Sequence, residues 1–563
     1  MNPNGEEHGP DFPPRFLNLT LLGIALLALI PRLLLGASQF VEYDGYWHVW
    51  IAQQDRWASF IREYQANAHP PLYFFLLRLS FGFGRTLLAY RSVSLISGTA
   101  SVYILGRTAY KAMRSPVWAA LAALAYGLAL PSILLSNEVR TYMLSAFFVQ
   151  ASFYYFLDLI GEAQPDSLRP RVIFAVTAAL ACLTEYYALI YVGAALLFAL
   201  ALPILRRDKR WIRALLRELA TFIAILVLPV WEYIAHFGAQ SVAYDHLPDF
   251  YFRPDSAEPA AEFLLRNLRN ELNCFSPWPV SDGPAFYLAM AVLLLLTGVT
   301  IFLARRSRSL PKNRAAIVSL LLPLVMMSAI MAGALMRAYP FGGFLRQQYV
   351  LFPFFAVWPF LFADRILANS PRVANLAVAD ALAIGVVIVS VGNYRAWPKS
   401  GEMLLSDQMG RYNRLFPAPE AIYIDQFNLT TFFMHHHNWN WQFVSPLPGS
   451  ATVDVYKLNR GDRSMVLFRD KDHWNLDLRD PLLYSQMARG MRQWHLNSTT
   501  IFCLAQPVGR TRTEAQVVAY RARAAELSAA EGLCIQRLDL DNYDVYAEFR
   551  TSGGCTAGPD GSR

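Results

Sequence analysis

The feature that most restricts this chain is a recurrence of apolar stretches of about twenty residues, the length a helix needs to cross a hydrocarbon layer. They fall near 16–36, 87–110, 116–135, 141–160, 171–184, 185–205, 215–236, 284–304, 315–336, 346–364 and 373–392. Only 16% of the 563 residues are charged and 55% are hydrophobic, whereas soluble domains carry roughly 25% charged residues. The expected fold is a polytopic all-α membrane domain of about eleven transmembrane helices.

The stretches at 171–184 and 185–205 form one apolar run that must be cut at Thr184–Tyr187 to yield two helices. Loop charges support the cut. Alternate loops hold Arg107, Lys111 and Arg114; Arg169 and Arg171; Arg206, Arg207, Lys209 and Arg210; Arg305, Arg306, Arg308, Lys312 and Arg314; and Arg365 and Arg372. Loops rich in Lys and Arg stay cytoplasmic, so the N-terminus is expected inside, and an odd number of helices leaves everything after Asn393 outside. The net charge of +8 is thus a topology signal rather than a nucleic-acid surface. No Walker A loop and no GxGxxG after a strand appear, which disfavours a nucleotide cofactor or an ATP-driven pump.

The expected organisation is a cytoplasmic tail at 1–15, a membrane domain at 16–392 with long outer loops at 37–86 and 237–283, and a soluble extracytoplasmic domain at 393–563. In that last region, apolar runs at Ala421–Asp425, Met465–Phe468, Thr500–Leu504 and Cys534–Leu538 alternate with helical patterns at 481–494 and 512–531, which indicates an α/β domain. In the first outer loop Trp47, Trp50 and Trp57 suit amphipathic helices at a membrane interface. The five cysteines show no CxxC spacing, against a zinc site; Cys503 and Cys534 could pair if their strands are neighbours. His435–His437 are adjacent and point in different directions, so they suit one metal ion poorly.

Four strings carry candidate chemistry. Glu42 and Asp44, in VEYDGY, follow the first apolar stretch. One could act as general base, and the pair could hold a divalent cation such as Mg or Mn, although two solvated loop carboxylates would look the same. NAHPPLY at Asn67–Tyr73 uses two prolines to start a helix and fixes His69. SNEVRTYML at 136–144 brings Glu138, Arg140 and Tyr142 to a helix start; arginine suits phosphate oxygens, and the bland alternative is an interfacial anchor. GGFLRQQY at 342–349 adds Arg346 and Tyr349, with a snorkelling arginine as the ordinary reading.

Taken together, an acidic motif after helix one, an HPPLY string and an SxExRxYxL string resemble GT-C glycosyltransferases, of the bacterial protein-mannosyltransferase-like and aminoarabinose-transferase-like branch (glycosyltransferase families 39 and 83), over roughly residues 16–392. The resemblance implies an active site facing the cell exterior or periplasm of a bacterial inner membrane. It also implies a polyprenyl-phosphate sugar donor, an envelope lipid, glycan or protein as acceptor, and inversion at the anomeric centre. Carried over, Asp44 is the base. Arg140 and Arg346, with His69 and Tyr349, bind the donor phosphate, and Glu138 and Tyr142 belong to the site.

Two departures stand out. Many members have Asp-Glu where this chain has Asp44-Gly45, so Glu42 could supply the second carboxylate. Many have Thr-His-Tyr where this chain has Thr184-Glu185-Tyr186, so Glu185 is a further active-site candidate. A lipid-linked-glycan transporter or flippase would instead place polar residues at the midplane of several helices. A non-catalytic subunit that binds the lipid-phosphate sugar would not need the acidic, His and Arg positions together.

Overall fold

The computed structural model describes residues 14–551 apart from 39–40, 42, 161–167, 207–210, 238–247, 255–256, 276–290, 292–293, 300–301, 303–309, 343–344, 369, 397–400, 437–438, 474–475, 504–512 and 542–543. The chain divides into two compact units. The first combines Met1–Gln39 with Tyr64–Trp397, the second Phe40–Glu63 with Pro398–Arg563.

In chain order, α1 (Pro14–Ser38) is followed by α2 (Tyr43–Ala52) and α3 (Trp57–Gln65), whose packing belongs to the second unit. The first unit continues with α4 (Leu72–Ser80), α5 (Leu87–Met113), α6 (Pro116–Leu128), α7 (Leu130–Asn137), α8 (Tyr142–Ile160), α9 (Leu168–Thr184), α10 (Ala188–Arg206) and α11 (Trp211–Phe237). It ends with α12 (Ala260–Phe275), α13 (Leu310–Leu335), the single turn α14 (Leu345–Gln348), α15 (Phe352–Ile366) and α16 (Arg372–Ala396). Among the described residues, six helices are long and apolar enough to cross a membrane, or seven if α6 and α7 form one bent span. This is an integral membrane protein, with fewer qualifying spans than the eleven expected. A helix occupies each expected stretch except 284–304, which falls mostly outside the described residues. The shortfall comes partly from length: α9 has 17 residues, and the apolar part of α10 runs only over Ala188–Ala201. The apolar run at 171–205 is broken between Thr184 and Ala188, where the charge pattern requires it.

The bend of 53° between α6 and α7 has a local cause. Pro131 has no N–H, so the carbonyl of Gly127, four residues earlier, loses its helical donor. A freed carbonyl in a membrane must find another partner. Arg32 of α1, fully buried, supplies it: Nη1 donates to Gly127 O at 2.7 Å and to Ala28 O at 2.6 Å. Its remaining nitrogens donate to Ser132 Oγ at 2.7 Å and Ser136 Oγ at 2.9 Å. Close approach of α5 to α7 depends on Gly98, where a Cβ would stand 2.1 Å from Ser136 Oγ.

The second unit is a seven-stranded sheet in the order β2-β3-β4-β1-β5-β7-β6. Its strands are β1 (Ala421–Ile424), β2 (Asn440–Pro446), β3 (Val453–Arg460), β4 (Arg463–Asp470), β5 (Ser498–Cys503), β6 (Leu533–Asp541) and β7 (Asp544–Thr551). Helix α17 (Gly401–Leu415) precedes β1, and α18 (Gln426–His435), α19 (Pro481–Gln493) and α20 (Glu514–Ala530) lie between strands. Strand β1 lies at the centre, parallel to β4 and β5, and is buried along its whole length, as a strand covered on both faces should be.

Two expectations change here. Cys503 and Cys534 do not pair: β7 lies between their strands, with Cys503 opposite Val545 and Cys534 opposite Arg550. Cys503 is a buried thiol that donates to Leu476 O at 3.4 Å, while Cys534 is disulfide-bonded. Nor is Trp50 an interface residue. It is 1% exposed and packs edge-on against Phe433, Trp441 and Tyr456, with centroids at 5.7, 4.9 and 4.7 Å. The first outer loop therefore supplies α2 and most of α3 to the core of this unit. Arg469 Nη1 lies 2.6 Å from Glu63 Oε2, both side chains buried, and its guanidinium covers the rings of Trp47 and Trp50. Arg62 bridges Glu63 and Asp454 at 3.2 and 3.1 Å. Trp57 stays exposed.

Candidate functional site

The site in the first unit is built on the short connection between α7 and α8. The last carbonyls of a helix have no intrahelical donor. Arg91 of α5, 1% exposed, satisfies two such ends at once: Nε donates to Asn137 O at 2.7 Å and Nη1 to Gly36 O at 2.7 Å. Further along the connection, Ser94 Oγ donates to Arg140 O at 3.3 Å and is itself 3.2 Å from Tyr73 OH. The backbone of Glu138–Thr141 is thereby tied to α1, α4 and α5.

On the other wall, Asn67 Oδ1 accepts from His69 N at 3.1 Å, an Asx turn that sets the approach to α4. Pro71 then caps α4 in helical conformation. The break between α9 and α10 presents Glu185 to both walls. Its Oε2 lies 2.7 Å from His69 Nδ1 and accepts from Thr141 Oγ1. Glu185 and His69 are nearly buried, with side-chain exposures of 8% and 12%.

Arg140 Nη2 donates to Tyr142 OH at 2.8 Å, and its guanidinium stands 5.2 Å from that ring centre. Arg346 Nε is 3.3 Å from Glu138 Oε2 and remains one-third exposed. Tyr142 also meets His69 edge-on at 5.9 Å and stacks on Tyr187 at 6.3 Å, and Tyr187 meets Tyr339 at 6.4 Å. The unit thus brings together His69, Glu138, Arg140, Tyr142, Glu185 and Arg346, from four separate strings of sequence. Both arginines offer planar, multidentate donors of the kind that suit phosphate oxygens.

Tyr349 is fully buried, its hydroxyl 2.9 Å from that of Tyr126, so it supports the helices rather than offering a phosphate contact. Asp44 opens α2 in the second unit and is partly exposed. Glu42 lies outside the described residues, and so does His437. Among the described residues no three His, Cys, Asp or Glu side chains gather as a metal-binding group, and the Glu42–Asp44 cation reading depends on the undescribed Glu42. Sequence reasoning missed Arg32 and Arg91. The available signal was an arginine inside an apolar stretch, which in a membrane must find partners.

No protein-family model matches the chain, and no curated protein matches it in sequence. The fold does match solved structures. The crystal structure of ArnT from Cupriavidus metallidurans bound to undecaprenyl phosphate superposes with a TM-score of 0.51 at 13% identity, covering 96% of this chain and 99% of that one. The apo crystal structure of the same protein gives a TM-score of 0.52 at 12% identity with the same coverage. The chain has the fold of ArnT over nearly its whole length.

Proposed function

We propose that this chain is an integral-membrane glycosyltransferase that moves a sugar from a polyprenyl phosphate to an acceptor at the extracytoplasmic face. The observation that carries the reading is that Arg140 and Arg346 both stand near Tyr142, beside the Glu185–His69 pair, on the fold of a protein crystallised with undecaprenyl phosphate. In this reading Arg140 releases Tyr142 and Arg346 releases Glu138 to grip the donor phosphate, with His69 held in place by Glu185. The acceptor hydroxyl or amine attacks the anomeric carbon opposite the phosphate. Its proton passes to Asp44, or to Glu42, as the bond between the anomeric carbon and the phosphate oxygen breaks, inverting that centre. The leaving polyprenyl phosphate gains negative charge, which the two arginines stabilise where it develops.

The test is a transfer assay with the purified full chain in liposomes. Undecaprenyl-phosphate sugars serve as labelled donors and cell-envelope lipid and glycan fractions as acceptors. Transfer by the wild type is expected to fall by at least 10²-fold in Asp44→Asn, the range of general-base contributions. Comparable turnover in Asp44→Asn, Glu42→Gln and the double variant would remove the base assignment. No transfer at all, with saturable binding of undecaprenyl phosphate that Arg140→Ala abolishes, would leave a binding or transport protein.

A further inference from the structure

The aromatic row Tyr142–Tyr187–Tyr339 leads from the arginines to a second polar group. Helix α12 buries Phe263, Asn267 and Glu271 at four-residue spacing, one face of the helix, with exposures of 1%, 0% and 0%. This face seats against the turn after Tyr339. Gly342, at φ +74°, leaves no room for a side chain, since a Cβ would stand 2.3 Å from Asn267 O. From the other side Gln348, fully buried on α14, donates through Nε2 to Pro340 O at 2.8 Å. Tyr339 itself donates to Gln347 O at 2.6 Å, and both Glu185 and Glu271 are close enough to act on its phenol.

What distinguishes this group is its unused bonding capacity. Asn267 Oδ1, Glu271 Oε1 and Oε2, and Gln348 Oε1 have no hydrogen-bond partner among the described residues. Nearly all buried polar atoms in folded proteins are paired, and each one left unpaired is destabilising. The four atoms gather around one turn. Burial pushes the Glu271 carboxyl well above its usual range, which favours its neutral form. A neutral acid among amide oxygens suits hydroxyl groups, which donate and accept at one atom, better than it suits a metal ion. Gln348 shares the single turn of α14 with Arg346, and a sugar is one bond away from the phosphate that Arg346 would hold.

We infer that Asn267, Glu271 and Gln348 read the hydroxyl groups of the sugar carried by the polyprenyl phosphate, with Tyr339 between them and the phosphate grip. The inference rests on the proposed function for its ligand, and binding tests it without turnover. Purified full chain is titrated with undecaprenyl phosphate and, separately, with undecaprenyl-phosphate-linked glucose, galactose, mannose, N-acetylglucosamine and 4-amino-4-deoxyarabinose. The wild type should bind at least one sugar-bearing lipid more tightly than the bare lipid. In Glu271→Leu that preference should fall at least tenfold while affinity for the bare lipid stays unchanged. The Tm should hold or rise, because an unpaired buried acid has been replaced by an apolar group.

Glu271→Gln, which keeps an acceptor oxygen, should retain part of the preference and serves if the leucine variant does not fold. A wild type with no preference over the whole panel overturns the inference. So does a Glu271→Leu protein with its preference intact, or one in which both affinities fall together. Loss of transfer in Asp44→Asn with the sugar preference preserved separates this subsite from the chemical step. Absence of transfer by the wild type would count against the proposed function and leave the sugar preference to be read on its own.

Discussion

The buried pair Glu63–Arg469 fastens the segment that carries Asp44 onto the sheet, and its removal should have an asymmetric cost. Both side chains are nearly inaccessible, at 3% and 2% exposure, and 2.6 Å apart. Arg469 also donates to Gln426 Oε1 at 3.0 Å, and Glu63 accepts from Arg62 at 3.2 Å. Truncating one partner of a buried pair typically costs about 3–5 kcal/mol, because the other charge stays buried and unpaired, whereas exchanging both for apolar groups is often close to neutral. Glu63→Ala and Arg469→Ala should therefore each destabilise the unit by about 3–5 kcal/mol. Glu63→Leu with Arg469→Met should cost far less than either.

The assay is hydrogen exchange of peptides covering Tyr43–Ala52 and Trp57–Gln65, in which local opening reads the free energy directly. Protection should fall by roughly 10²–10³-fold in each single variant and recover in the paired apolar one. The pair has a pH signature as well. Arg469 and Arg62 overcome the desolvation of Glu63 and hold its carboxyl below the usual 4.5. Its contribution is then fully present above that value and lost as the pH falls through the depressed one. Additive costs in the two single variants, within about 0.5 kcal/mol, would refute the reasoning, since that is the behaviour of independent sites.

Arg91→Met removes donors from Asn137 O and Gly36 O and should cost about 3–6 kcal/mol, at roughly 1.5–3 for each charge-assisted bond. It should lower both Tm and transfer, and Arg91→Lys should restore only part of either. Asp425 provides a second pH test, of opposite sign to that of Glu63. Burial raises its carboxyl from 3.8 to about 7, so its stabilisation is complete below 3.8 and lost as the pH rises through 7. Tm measured from pH 4 to 8 should show that slope in the wild type and lose it in Asp425→Asn.

Much of the first unit is legible in the sequence because membrane helices are written locally, as apolar length and loop charge. The break at Thr184–Ala188 follows from charge alternation, and the HPPLY and NEVRTYML strings point to side chains that meet in one place. Four strands and two helices of the second unit are visible as short apolar runs and helical periodicity. What stays hidden depends on distant partners. Strands β2, β3 and β7 carry Trp, Tyr, Asn and charged residues in patterns that single-segment periodicity does not separate from loops. Nothing local in the VEYDGY segment reveals that Trp50 faces Phe433 and Trp441, almost four hundred residues on. Tyr349 matched a motif, yet its orientation is set by Tyr126. The unpaired acceptors of Glu271 come to light only when α12 is folded back on the turn after Tyr339.

The Arg32 bonds also bear on how the chain is made. Helix α1 leaves the ribosome before α6 and α7, carrying a guanidinium whose downstream partners, Gly127, Ser132 and Ser136, are 95 to 104 residues from being synthesised. Until α6 and α7 arrive, that charge has Ala28 O within its own helix; Arg32 lies in the last two turns of α1, where an arginine adds less to the cost of insertion than the about 2.5–3.5 kcal/mol it adds at a helix centre. The leucine-rich remainder of α1 has to carry it through that interval. Completion of the kinked pair then turns a costly first segment into the one that later helices cannot do without.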